Sequence, residues 1–115
     1  MDRDRLFFIH ILEAVKSIEE YLHDVTFEQF IEQNLSSKKT RDAVVREFEI
    51  ISEATKNLTN KIKERETSID WQEIVDMRNN VIHEYFGVDY EIVWQTAKED
   101  LPKLKTKVQE LLEKH

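Results

Sequence analysis

Cysteine is absent, and glycine and proline occur once each in 115 residues. Without cysteine there is neither a disulfide framework nor a thiolate metal site. With only Gly87 and Pro102 to punctuate it, the chain has too little turn chemistry for a sheet of tight hairpins, so long helices with few turns are expected. No run approaches the roughly 18 apolar residues of a membrane helix. The opening Met1-Asp2-Arg3-Asp4 carries no apolar signal-peptide region. A cytoplasmic protein with no membrane partner is expected. A positive charge excess is lacking too: the formal net charge is −7, which weighs against constitutive, non-specific nucleic-acid binding. A small cationic cleft that touches RNA stays compatible with it.

The composition, 40% hydrophobic and 36% charged, suits solvated helix faces around a packed core. The length allows one domain over 1–115 with one ordinary core. At about 100° per residue, Phe7, Ile11, Ala14, Ile18, Leu22 and Val25 share a stripe over an expected first helix, Asp4 to Asp24. Phe8, Ile9 and Leu12 widen its apolar surface, as a helix buried on more than one side requires. In so small a domain that points to a subunit interface. Thr26 and Gln29 form a capping box for a short second helix to Asn34. Asn34 to Thr40 reads as a polar, basic loop. A third helix is expected over Arg41 to Arg65, with Ala43, Val44, Ile50, Ile51, Ala54, Leu58 and Ile62 inward. Asp70 and Glu73 cap a fourth from Trp71 to near Gly87, the glycine serving as its C-terminal stop. Asp89 then caps a fifth. Asp100 and Pro102 start a last segment to Lys114, kinked at the proline, carrying Leu104, Val108, Leu111 and Leu112. The expected architecture is all-α, an antiparallel bundle of four to five helices.

The fourth helix holds an anomaly. With Arg78 at zero, Trp71, Ile74, Val75, Val81, Ile82, Tyr85 and Phe86 fall within roughly 80° of it. A cation at the centre of an apolar stripe is costly unless paired. Asn79 and Asn80, modest helix formers, follow directly. His83 lies about 140° around a continuous helix, with Asn79 as its neighbour one turn back. One helix surface therefore does not present Arg78 beside His83. Either Arg78 reaches along the helix end, or the site is a composite cleft between two subunits. The plainer alternative is a structural arginine paired with Glu53, or with Glu47 as second choice. His83 alone also fits a last-turn histidine favoured by the helix dipole.

Arg78-Asn79-Asn80-Val81-Ile82-His83-Glu84-Tyr85 has the pattern R-x4-H-x-Y. It resembles the motif of the HEPN superfamily, in its HepT-like branch. The runs RLFFIHILEAVKSIEEY, DAVVREFEIISEA, MRNNVIHEYFGVD and DLPKL are similar to that family in order and spacing over nearly the whole chain. Ser52 departs from it, standing where the family commonly has glycine, which puts close packing there in question. The resemblance implies a HEPN-like helical homodimer and a metal-independent endoribonuclease, with two motifs facing one cleft. It further implies the toxin of a type VII-like toxin–antitoxin system. Its antitoxin would be a minimal nucleotidyltransferase that transfers AMP to a tyrosine near the motif, by position Tyr85.

The residue types suit that chemistry. A histidine's unperturbed pKa lies near neutrality, so His83 is of a type that can act as base or acid. Arg78 stays charged and can hold a phosphate bidentately while stabilising transition-state charge. Tyr85 can hydrogen-bond a phosphate oxygen or stack on a base, and Asn79 or Asn80 can orient the backbone or the imidazole. Lys38, Lys39, Arg41 and Arg46 make a basic cluster that either guides RNA or is simply a solvated helix start. His10, His23, His83 and His115 are scattered, so no metal ligand set and no cofactor are expected. A rival of another class is a non-catalytic module that presents substrate or nucleotide to a nucleotidyltransferase partner, Arg78 binding a triphosphate. A purely structural helical dimer is a third.

Overall fold

A computed structural model of the chain describes residues 3–83 and 87–114, with the backbone alone described over 80–83. Among the described residues the chain is all-α, apart from one pairing of two-residue strands. α1 spans Arg3–Tyr21, α2 Phe27–Phe30, α3 Leu35–Lys56, α4 Asn60–Arg65 and α5 Trp71–Val81. Two short strands follow, β1 Ile82–His83 and β2 Gly87–Val88, then α6 Tyr90–Gln95, a π-turn Thr96–Asp100 and α7 Leu101–Lys114.

Four of these elements form an antiparallel bundle, and cross-links fix its direction. Arg3 Nε donates to the Asn57 carbonyl at 3.3 Å, and Asp4 accepts from the Thr59 backbone N–H at 2.8 Å, so α1 begins where α3 ends. Arg5 Nη1 donates to the Leu112 carbonyl at 3.2 Å, which sets α7 antiparallel to α1. Trp71 packs against Phe8, ring centroids 6.4 Å apart, so α5 starts at that same end and runs antiparallel to α3. Its indole N–H donates to the carbonyls of Lys63 and Glu66 and ties down the α4–α5 connector. The core is one cluster in which Phe8, Ile11, Ile18, Phe30, Phe48, Ile51, Val93 and Val108 are all at most 1% exposed. Burial of such side chains stabilises by about 1.5–3 kcal/mol each.

Local chemistry explains where helices begin. Thr26 and Gln29 make the expected reciprocal capping box. Asp70 accepts from the Glu73 N–H at 3.1 Å, and Asp89 from the Ile92 N–H at 3.2 Å.

Several expectations fail, each for a physical reason. α1 is centred on Phe8 rather than Phe7 and stops at Tyr21, where Asp24 takes a left-handed φ of 58° and turns the chain. The second helix ends at Phe30, because the carbonyls of Phe30 and Glu32 are taken by Arg41 instead of by a further turn. Residues 35–40 are helix and not loop: Asn34 accepts from the Ser37 N–H at 2.8 Å and caps α3. α3 stops at Lys56 instead of Arg65. The Asn57 side chain turns back to the Glu53 carbonyl, and Thr59, held by Asp4, caps the separate α4. Gly87 is not a helix stop but a strand residue at φ 80°. Asp100 caps nothing; it lies in the π-turn, where the Leu101 N–H reaches back to the Thr96 carbonyl. Pro102 accounts for that turn, since it has no N–H for a carbonyl four residues back and its ring crowds that carbonyl.

Candidate active site at the end of helix α5

α5 carries the first part of the motif and ends earlier than helical periodicity predicts. Asn79 and Asn80 hold a helix weakly, and the β-branched pair Val81-Ile82 favours extended backbone. The chain accordingly leaves the helix after Val81. Ile82 pairs with Val88 and His83 with Gly87, antiparallel. The left-handed φ of Gly87 lets the returning strand meet the first at this point. His83 therefore sits on extended backbone, not one turn beyond Asn79, and the rotation of about 140° expected on a continuous helix does not apply. The fit to a last-turn histidine is also removed.

Arg78 is exposed although it shares the stripe of buried Trp71 and half-buried Ile74 and Val75. Among the described residues it makes no hydrogen bond or ion pair. The buried pair with Glu53 or Glu47 is not formed: Glu53 is exposed and accepts from Asn57 Nδ2 at 3.4 Å, and Glu47 is half-buried. Asn79 is exposed beside Arg78. The side chains of Asn80 and His83, and all of Tyr85, lie outside the described residues.

α5 is held where it is by α3. Ser52 is 6% exposed, and its hydroxyl donates across the helix pair to the Ile74 carbonyl at 3.2 Å. The side chain that raised a question about close packing thus supplies a bond between the two helices, one turn before Arg78.

The basic cluster separates into different roles. Arg41 is buried, 6% exposed, and donates through Nη1 to the carbonyls of Phe30 and Glu32 at 2.8 Å each. Its Cζ lies 5.2 Å from the Tyr90 ring centroid. It is not a surface cation, which corrects its place in the cluster. Lys38 and Arg46 are exposed and paired within α3, Lys38 with Asp42 at 2.7 Å and Arg46 with Glu49 at 3.4 Å. The Asp42 carboxylate raises the Lys38 pKa above its usual 10.5.

A groove of about 460 Å³ runs along α5 from the connector before it, Ser68 to Asp70, as far as Met77, and is bounded on its other side by α6, the π-turn and α7. Its floor is apolar, from Ile74, Met77, Ile92, Leu101 and Leu104. No helix of the described residues is long and apolar enough to cross a membrane.

The model of a family described as Ribonuclease HepT-like matches residues 11–111. The chain is 46% identical over 101 residues to the "Probable ribonuclease HepT" of Thermococcus cleftensis, covering 88% of each chain. It is 38% identical over 114 residues to a protein of Caldanaerobacter subterraneus subsp. tengcongensis named as a "Putative RNase", covering 99% of this chain and 98% of that one. A Methanocaldococcus jannaschii protein named as "Gamma-glutamylcyclotransferase and putative RNase" is 41% identical over 109 residues, which span 95% of this chain and 47% of that longer one. No solved structure matches.

Proposed function

The chain belongs to the HepT-like ribonuclease family, and on that premise we propose that it is the toxin of a HEPN toxin–antitoxin pair of type VII kind, a metal-independent endoribonuclease acting in the cytoplasm. The observation that carries this reading is Arg78: exposed, without a partner among the described residues, on the inward stripe of α5, and five positions before a histidine that leaves the helix.

RNA carries its own nucleophile. The 2′-OH attacks the adjacent phosphorus as His83 takes its proton. Arg78 holds two phosphate oxygens and stabilises the charge that builds on the phosphorane. The 5′-oxygen leaves with a proton from an acid, giving a 2′,3′-cyclic phosphate and a 5′-hydroxyl. One imidazole serves one role at a time, so a homodimer with two motifs facing one cleft supplies the second histidine. Tyr85 binds a phosphate oxygen or stacks on a base, and Asn79 and Asn80 orient the segment. Arg46, exposed on α3, acts in support by guiding RNA; Glu53, which meets Asn57 and not Arg78, has no part in the site.

A minimal nucleotidyltransferase partner silences the enzyme by AMP transfer. The Tyr85 phenol attacks the α-phosphorus of ATP, its proton goes to a base of the transferase, and pyrophosphate departs. The attached AMP places a bulky anion beside Arg78 and fills the phosphate subsite. Cleavage of total RNA in EDTA by wild-type protein but not by His83→Ala tests the reading. ATP binding with no RNA cleavage by either protein would replace it with the non-catalytic module.

A further inference from the structure

The buried guanidinium of Arg41 is left over once the catalytic residues are assigned. Burying a cation is costly unless its donors are satisfied. Here its Nη1 meets the Phe30 and Glu32 carbonyls that close the α2–α3 corner, both at 2.8 Å. The guanidinium also lies over the Tyr90 ring, Cζ 5.2 Å from the centroid, and Phe30 meets that ring edge-on at 6.1 Å. Tyr90 is thus gripped from two sides by the start of α3 and the end of α2.

Tyr90 is also the first residue of α6, three positions after Gly87. Between them Val88 packs on the core and pairs with Ile82, and Asp89 caps α6 at the Ile92 N–H. Gly87 in turn pairs with His83. A pair of two-residue strands has no stability of its own and takes its position from whatever anchors it. The anchors here are Val88 against the core and Tyr90 under Arg41.

We propose that Arg41 and Tyr90 form a clamp that fixes the strand pair and so positions His83. Arg41 is then a positioning residue, not an RNA contact. An arginine suits this role, because its planar, multiply bonded guanidinium loses little freedom per contact and serves as a rigid seat for an aromatic ring. The effect on rate rests on the reading of His83 as catalytic. The effect on the placement of His83 does not.

The test compares Tyr90→Leu, which removes the ring, with Tyr90→Phe, which keeps it, and with Leu111→Ala. Leu111 is 3% exposed on α7 near the start of α1, at the opposite end of the bundle, and controls for general loss of stability. The readouts are the imidazole carbon–proton NMR resonance of His83 and steady-state kinetics on RNA. Tyr90→Leu is expected to shift or broaden the His83 resonance and lower kcat roughly tenfold, as small misplacements do, with KM little changed. Tyr90→Phe is expected to restore both. Leu111→Ala is expected to lower the melting midpoint and leave the resonance where it is. An unmoved resonance and wild-type kcat in Tyr90→Leu would overturn the clamp, as would an equal shift in Leu111→Ala. If wild-type protein cleaves no RNA, the ribonuclease reading fails, and the His83 resonance still decides the clamp.

Discussion

Replacing Arg41 with methionine separates a structural cation from a surface one in a stretch where both stand side by side. The substitution keeps an unbranched apolar stem but deprives the Phe30 and Glu32 carbonyls of their donor, both bonds being 2.8 Å long. Hydrogen bonds from a charged donor contribute about 1.5–3 kcal/mol each, and the contact with Tyr90 adds about 1 kcal/mol. Relief of the desolvation of the guanidinium offsets part of this. A net loss of about 3 kcal/mol is expected, which for a chain of this size lowers the melting midpoint by roughly 12 °C. Thermal unfolding followed by far-UV circular dichroism, with urea unfolding alongside, measures it. Lys38→Met is the matched control, because Lys38 is exposed and its partner Asp42 lies on the same helix; its midpoint should hardly move. Equal behaviour of the two variants would refute the reasoning and return Arg41 to the solvated helix start.

Other perturbations report on other parts of the molecule. Arg78→Lys keeps the charge but loses the bidentate fork; kcat on RNA should fall by about two orders of magnitude while the melting midpoint stays put, since Arg78 is exposed. A large drop in midpoint would mean that Arg78 is structural after all. Asp24→Gly should stabilise by about 0.5–1 kcal/mol, because Asp24 holds a φ of 58° that glycine adopts without strain; a lower midpoint would count against that account of the turn. Lys38 has its folded-state pKa raised by Asp42, so its contribution to stability is fully present at neutral pH and is lost only as pH rises past the usual 10.5 through the folded value. Wild type and Lys38→Met should therefore share one stability profile in shape from pH 6 to about 9, and a divergence there would point to another partner. On the proposed toxin–antitoxin reading, Tyr85→Phe should yield a protein that a nucleotidyltransferase partner cannot silence; continued silencing would mean that Tyr85 is not the modified residue.

What can be read from the residues is mostly local. The capping pairs Thr26–Gln29, Asp70–Glu73 and Asp89–Ile92 lie within three positions of each other, so adjacent letters suffice to find them. Boundaries set from a distance escape such a reading. Leu58 and Ile62 keep helical spacing across the break after Lys56, which Asp4 enforces from the other end of the sequence. Asn34 capping α3 is a legible signal, masked because the stretch after it is polar and basic. Phe48, wholly buried on α3, belongs to the core although the expected inward stripe omits it. The motif itself is legible as spacing, but its geometry is not. Periodicity carries the helix on to Gly87, whereas the β-branched residues after Asn80 and the backbone of Gly87 give a strand pair. The two arginines exchange expectations: wheel position puts Arg78 inside, and the company of lysines puts Arg41 outside. Only the packing of α2 and α6 against α3 shows which of them is buried.

The most direct test of the ribonuclease reading is cleavage of total RNA by purified protein in EDTA, without a partner, comparing wild type with His83→Ala. Cleavage by the wild type alone is predicted, with fragments ending in a 2′,3′-cyclic phosphate. Equal cleavage by both proteins, or metal-dependent cleavage with a 3′-hydroxyl product, would contradict it.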